Sequence, residues 1–370
     1  MKRVMIHAYL AGNLGDDLFV VMLCRRYPNI KFHILADESY KQKFQDLKNC
    51  RIFSENDFIV KKINHFLQKR GISRGFWKLM VRGSKAVIHI GGSSFVQHYD
   101  DWSAFFGTDL YLAEKSKGLY LIGSNFGPFT DPDYLSAYHN LFQKYKGICF
   151  RDQQSYQLFS DLPHAAWAPD VVFNLHPTLK PKKRKLLIAP VYLENRTGKY
   201  PLHMFQDAYL NFHLVMIRHF IQMGYQIVLT GFCVPQGDGI IIQKLYQALD
   251  PPQRDSVRCV LYDKNLSSIL QEFKESEYVI GTRFHSIILG LICQCRVFPV
   301  IYDQKTANTL ETLRFPSHFH LTELNGISSE DLQKGWIRLD PPEIQRLRRE
   351  AEKQFQWTDI LFRHNASKSE

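Results

Sequence analysis

The sequence predicts an α/β protein built of two doubly wound lobes with a ligand cleft between them. Three observations carry that expectation. Short apolar runs alternate with amphipathic ones along most of the 370 residues. Glycine-rich turns follow several of the apolar runs, as at strand exits of parallel sheets. A basic, proline-punctuated stretch near the middle interrupts the alternation, which then restarts.

In the first half, Val4–Ala8, Phe32–Ala36, Ala86–Ile90, Gly118–Gly123 and Ile148–Phe150 read as buried strands. Asp16–Tyr27, Tyr40–Leu47 and Tyr134–Tyr145 show helical spacing between them. The break is His176-Pro177-Thr178-Leu179-Lys180-Pro181-Lys182-Lys183-Arg184-Lys185. Beyond it, Leu186–Ala189, Gln226–Thr230, Arg258–Leu261, Tyr278–Gly281 and Val297–Ile301 read as strands. Met204–Met223, Gly239–Leu249, Leu266–Phe273, Phe284–Ile292 and Thr306–Leu313 read as helices. The division expected is a Rossmann-like lobe over 1–175, a linker over 176–185 and a second Rossmann-like lobe over 186–325. A charged helical segment over 326–370, its helix from Pro342 to Arg363, is expected to fold back on the first lobe.

Composition narrows the function classes. Hydrophobic residues make up 45%, enough for two large cores, which speaks against disorder. No apolar run reaches the roughly 18–20 residues a spanning helix needs; the longest, Ile287–Cys293, fits a buried helix. The start, Met1 to His7, reads as a first strand, because its apolar stretch is too short for a signal peptide. The seven cysteines are scattered, with no Cys-x-x-Cys pair, so neither a disulfide framework nor a zinc knuckle is expected. Buried, reduced thiols and a cytoplasmic location are expected instead.

The net charge of +11 is concentrated. Lys61, Lys62, Lys69, Arg70, Arg74, Lys78, Arg82 and Lys85 occur with no acidic residue among them, interleaved with Phe66, Phe76 and Trp77. The functional reading of Lys61–Lys85 is contact with an anionic membrane surface, at its inner face, or with a lipid-linked phosphate; the plainer one is a solvated helix face. No nucleic-acid recognition signature accompanies the charge, and a nucleic-acid partner is not expected.

The chemistry-bearing residues cluster at strand exits. The first is Ala11-Gly12-Asn13-Leu14-Gly15-Asp16-Asp17. Its glycines permit tight turns, Asn13 tolerates left-handed geometry, and Asp16 or Asp17 can cap a helix or face a sugar hydroxyl. The second, Gly91-Gly92-Ser93-Ser94, suits an anion cradle. The third runs Gly123-Ser124-Asn125-Phe126-Gly127-Pro128; the fourth is Arg151-Asp152, with Arg151 able to pair with Asp152 or Asp170. The sharpest is Gly281-Thr282-Arg283-Phe284-His285-Ser286. There an arginine fork and an imidazole coincide with a helix start, three features that favour an anion. No metal set is expected; His318 and His320 lack a nearby carboxylate in sequence and read as structural.

In order and approximate spacing across 1–310, these motifs resemble the polysaccharide pyruvyltransferase family, with Gly281-x-Arg283-x-His285 carrying most of the weight. Gly15-Asp16, Gly91-Gly92-Ser93, Arg151-Asp152 with Ser155, Pro169-Asp170 and Gly290 complete the set. The chain departs from the family at Ser94 and over 123–127, where further glycines and a glutamine are common.

The resemblance implies a GT-B-like fold, phosphoenolpyruvate as co-substrate with no cofactor, and ketal formation on a sugar of a surface polysaccharide or its lipid-linked precursor. It places the donor in the second lobe and the acceptor in the first. Arg283 and His285 are expected to be catalytic, with Asp16 as the preferred base over Asp17, Glu194 or Asp238. Asn13, Gly15, Asp17, Gly92, Ser93, Ser94, Asn125, Arg151, Thr282 and Ser286 are expected to bind substrate. A nucleotide-sugar glycosyltransferase of the same architecture is the alternative, and a non-catalytic module docking on anionic surfaces a further one.

Overall fold

A computed structural model describes residues 3–263, 266–315, 318–326 and 334–366. The chain divides into two compact units. The first comprises Met1–Leu10, Asp16–Val171 and Glu350–Glu370; the second comprises Ala11–Gly15 and Val172–Arg349.

The first unit holds a seven-stranded sheet, all parallel, in the order β3-β2-β1-β4-β5-β6-β7. The strands are β1 (Arg3–His7), β2 (Lys31–Leu35), β3 (Cys50–Phe53), β4 (Ala86–Ile90), β5 (Leu119–Ser124), β6 (Gly147–Phe150) and β7 (Ala165–Trp167). Helices α1 (Leu14–Arg26), α2 (Tyr40–Lys43), α3 (Phe58–Gln68), α4 (Gly75–Gly83), α5 (Ser103–Lys115), α6 (Pro132–Phe142) and α7 (Gln153–Gln157) connect them. Central strand β4 is buried at every position, as a strand covered on both faces must be. An aromatic cluster including Phe95, Phe126, Tyr138, Phe142 and Phe159 fills one side. The order β3-β2-β1-β4 reverses direction at β1/β4, the place where ligands collect in open parallel sheets.

The second unit repeats the plan with six parallel strands in the order β10-β9-β8-β11-β12-β13. These are β8 (Lys183–Ala189), β9 (Gln226–Gly231), β10 (Val257–Leu261), β11 (Ser276–Gly281), β12 (Arg296–Ile301) and β13 (Phe319–His320). Its helices are α8 (Gln206–Gln222), α9 (Asp238–Gln247), α10 (Pro251–Arg254), α11 (Leu266–Glu275), α12 (Phe284–Ile292) and α13 (Gln304–Thr312). Every residue of α12 is buried. Helices α14 (Pro341–Ala351) and α15 (Gln356–Ala366) follow.

Several expectations need correction. The stretch read as a linker ends inside β8, whose first residue is Lys183. The expected 326–370 segment is divided: residues to Arg349 belong to the second unit and the rest to the first. The single helix Pro342–Arg363 is two helices joined by a tighter turn at Glu352–Phe355. Ala11–Gly15, expected in the first lobe, groups with the second unit. Strands β3, β7 and β13 went unread because they are short and only half-buried, so their apolar pattern is weak. Not all thiols are buried: Cys259 is exposed and Cys50 half-buried. Among the described residues no helix is long and apolar enough to cross a membrane.

Candidate active site

Each unit carries a buried arginine just past the end of a sheet strand, held by a carboxylate. In the second unit the turn Gly281-Thr282-Arg283 ends β11 and starts α12. Arg283 is 5% exposed. Its Nε donates to Oδ2 of Asp238 at 3.2 Å, its Nη2 to the other carboxylate oxygen, and its Nη1 to Oε1 of Gln236 at 2.5 Å. Burial opposes the charge, but Asp238 outweighs it and holds the guanidinium well above its ordinary pKa. Asp238 is itself fixed, accepting the backbone N–H of Phe232 at 2.9 Å and of Cys233 at 2.8 Å. The fork is therefore rigid and permanently cationic, with guanidinium donors beyond those three to offer an anion.

His285 lies in the first turn of α12 and is 7% exposed. A β-carbon added to Gly15 would stand 1.8 Å from its Nδ1, so the imidazole rests on the bare backbone of Gly15. The loop bearing Gly15 is anchored nearby: Leu14 N–H donates to Phe232 C=O at 3.0 Å, and Asn13 bridges Cys233 in antiparallel fashion. The loop that fixes Asp238 thus also fixes the glycine under His285.

The hydroxyls expected to bind substrate here are spent internally. Thr282 accepts from the Tyr209 hydroxyl at 2.7 Å, and that phenol oxygen also takes the Val191 N–H at 3.0 Å. Ser286 donates to the Arg283 carbonyl at 2.5 Å. Asn13 accepts the Gly15 N–H at 3.0 Å, closing the turn that starts α1. The positive φ of that turn falls on Gly12, at 73°, rather than on Asn13. Asn13 thus does the capping expected of Asp16 or Asp17, which sit in the first turn of α1.

In the first unit, Arg151 follows β6 and is 2% exposed. Its Nη1 donates to Asp170 at 3.3 Å, and its Nη2 to Asn125 Oδ1 at 2.6 Å and Ser93 Oγ at 3.4 Å. A β-carbon on Gly92 would stand 2.6 Å from Nη1, so this guanidinium also lies against bare backbone. Of the two partners considered from the sequence, the structure selects Asp170. Asp152 instead caps α7, accepting the Ser155 N–H and hydroxyl at 2.8 and 2.9 Å, and burial raises its pKa. Ser93, Asn125, Arg151 and Gly92 thus come together, with Ser94 beside them on the Gly91 turn.

The carboxylates considered as bases separate clearly. Asp238 is committed to Arg283. Asp17 is fully buried, 3.7 Å from Lys43 Nζ. Glu194 pairs with Lys244 and accepts the Tyr192 hydroxyl at 2.6 Å; those bonds, the lysine's first, hold its pKa down. Asp16 is half-buried.

Sequence reasoning missed Gln354. Its side-chain amide donates to the carbonyls of Phe150 (3.0 Å), Ala168 (2.7 Å) and Pro169 (3.2 Å), and its oxygen accepts the Gly123 N–H at 3.0 Å. One side chain thus ties together the strand exits that carry Arg151 and Asp170. A glutamine about two hundred positions away, in the tight turn between two charged helices, gives no local signal.

A second group was also missed. His7 and His89 are cross-strand partners on β1 and β4, with Asp109 of α5 beside them. One nitrogen or oxygen of each lies within 4.8 Å of the others, a grouping not expected from the sequence. Burial, then Arg74, lowers His7 to about 4; burial pushes Asp109 up to about 7 against the Tyr138 hydroxyl bond. His318 and His320 stand apart, the latter bonded to Thr322.

Solved structures share this architecture at low identity. HepE from Anabaena, solved with UDP and glucose, matches 100% of this chain and 99% of its own, at 12% identity and a TM-score of 0.52. UDP-GlcNAc 2-epimerase from Neisseria meningitidis, bound to UDP-GlcNAc, matches over 99% and 100%, at 12% identity and a TM-score of 0.57. The Methanocaldococcus jannaschii UDP-GlcNAc 2-epimerase matches over 94% and 99%, at 10% identity and a TM-score of 0.55. At such identities the likeness is one of fold, and the fold is GT-B-like. The sequence itself is more specific. The model of the polysaccharide pyruvyl transferase family matches residues 13–304, a span containing both arginine clusters. On that match, with its motifs assembled as described, the chain belongs to the polysaccharide pyruvyl transferase family and is a transferase.

Proposed function

We propose that this enzyme moves the pyruvyl group of phosphoenolpyruvate onto two hydroxyls of a sugar, in a surface polysaccharide or its lipid-linked precursor. The observation that carries the reading is the Arg283–Asp238 fork beside His285 at the start of α12. Phosphoenolpyruvate carries a carboxylate and a phosphate. A buried guanidinium held in one orientation binds such a planar or tetrahedral anion without paying ordering entropy at the time of binding.

In this reading His285 supplies the proton to the methylene carbon of the enol phosphate. The central carbon becomes electrophilic and a sugar hydroxyl adds to it. The bond from that carbon to the phosphate oxygen then breaks, and the second hydroxyl closes the ketal. Two C–O bonds form and one breaks. Of the two hydroxyl protons, one balances the new methyl group and the other leaves with phosphate. No metal or organic cofactor is needed. Asp16, in the first turn of α1, is assigned as the base. Arg151, Ser93 and Asn125 are assigned to the acceptor sugar.

The test is phosphate release from phosphoenolpyruvate across a panel of lipid-linked and nitrophenyl sugars, with thermal shifts measured in parallel. Phosphoenolpyruvate should raise the melting temperature, and a matching sugar should trigger release. Stabilisation by nucleotide sugars and none by phosphoenolpyruvate would replace this reading with glycosyl transfer.

A further inference from the structure

The starts of three neighbouring strands in the first unit crowd cations together. Arg3 of β1 is the register partner of Lys31 of β2, and His33 of β2 is the partner of Arg51 of β3. Positions 31 and 33 lie two apart on one strand, so all four side chains share one face of the sheet. Like charges directly opposite each other destabilise a sheet. Here they line a cavity of about 810 Å³, together with Lys48, and none of its lining residues is acidic. Burial, then Arg3, Arg51 and Lys31, holds the His33 imidazole below its ordinary pKa, as a concentrated positive field requires. This is the opposite end of the strands from Arg151 and the Gly91-Gly92 turn.

The cavity wall continues into α4, where it is apolar. Phe76, Leu79 and Met80 of α4 line it, and Leu79 is 49% exposed. Helix α3 packs on α4: Leu67 abuts Gly75, and Asn64 accepts the Phe76 N–H at 2.7 Å. Val60 and Leu67 face inward, so Phe58 and Phe66 are left outward at 78% and 52% exposure, with Ile59 beside them. Lys61, Lys62, Lys69 and Arg70 are exposed around these rings. From 58 to 85 there is no acidic residue. Three large apolar side chains thus stand exposed among cations on one helix. An interfacial helix needs both, apolar groups for the acyl boundary and cations for the headgroups.

We propose that this face docks on an anionic phospholipid bilayer, with Phe58, Ile59 and Phe66 entering the interface and a lipid phosphate occupying the Arg3–Lys31–Arg51 cavity. The site is separate from the candidate active site and does not depend on the donor assigned there. It provides the class of surface on which a lipid-linked acceptor resides.

The experiment is co-flotation of the full chain with vesicles of phosphatidylglycerol and phosphatidylcholine, against vesicles of phosphatidylcholine alone. The chain should float with the first and stay behind with the second, and about 0.5 M salt should release it. Phe58→Ser with Phe66→Ser, and separately Lys31→Glu with Arg51→Glu, should each lower partitioning about tenfold or more. All four side chains are exposed, and thermal melts check folding. Turnover of a soluble acceptor should be the same in these variants as in the parent, which separates this idea from the catalytic one. No flotation with the anionic vesicles, equal flotation with both compositions, or variants that bind like the parent would overturn it.

Discussion

Arg283 and Asp238 form a two-point ion pair inside the second unit, and the carboxylate is held in turn by the backbone of Phe232 and Cys233. The pair is a structural fixture as well as the proposed donor-binding element. Removing one partner of a buried pair strands the other charge, at a cost of about 3–5 kcal/mol. Asp238→Ala should therefore lose that much stability in urea denaturation, in addition to activity. A loss below about 1 kcal/mol would mean water reaches Arg283 and the fork is not preorganised.

His285 is assigned proton transfer, which is worth on the order of a hundred- to ten-thousandfold in rate. His285→Asn should lower turnover by that factor while circular dichroism and donor-induced thermal shift persist. Full activity in this variant would remove the assigned role.

Gly15 is the floor under that imidazole. An alanine there places its β-carbon 1.8 Å from Nδ1, so the ring or the loop must move. Overpacking of this kind costs about 1–3 kcal/mol. Gly15→Ala should reduce turnover about as much as loss of His285 itself. Activity close to that of the parent would show that the ring's present position is not the working one.

Gln354 satisfies one backbone N–H and three carbonyls beneath the Arg151 cluster. Gln354→Leu keeps the volume but takes a partner from each of these groups; the Phe150 carbonyl keeps the Ala168 N–H at 3.0 Å, and each of the others left unpaired costs about 1–3 kcal/mol. The melting temperature should fall by several degrees, and the KM for the sugar should rise more than that for phosphoenolpyruvate. Equal changes in both would argue against assigning Arg151 to the acceptor.

Asp109 gives a pH signature. Burial raises its carboxyl from an ordinary 3.8 to about 7, against the pull of the Tyr138 hydroxyl. A raised folded pKa stabilises fully below the unfolded value, and that stabilisation is lost as pH rises through about 7. His7, lowered to about 4, works in the other window: its contribution is present above 6.5 and lost as pH falls through 4. Asp109→Asn should thus gain melting temperature over the parent as pH goes from 5 to 8, and leave the acid limb unchanged. A constant difference across that range would show that Asp109 does not titrate there.

The sequence by itself determined the two doubly wound lobes, because alternating buried strands and amphipathic helices are local patterns. It also singled out Arg151, Arg283 and His285, because each lies within a few residues of a strand end whose apolar run announces it. Tertiary structure alone decided what those side chains do. It chose Asp170 over Asp152 for Arg151, bound Asp238 to Arg283 across 45 positions, and set Gly15 beneath His285. It turned Thr282 and Ser286 inward and brought Gln354 to the strand exits from the far end of the chain. The physical reason is that periodicity records which face of an element is dry. The partner of a buried charge is fixed by which loops the sheet order brings side by side, and no local pattern encodes that.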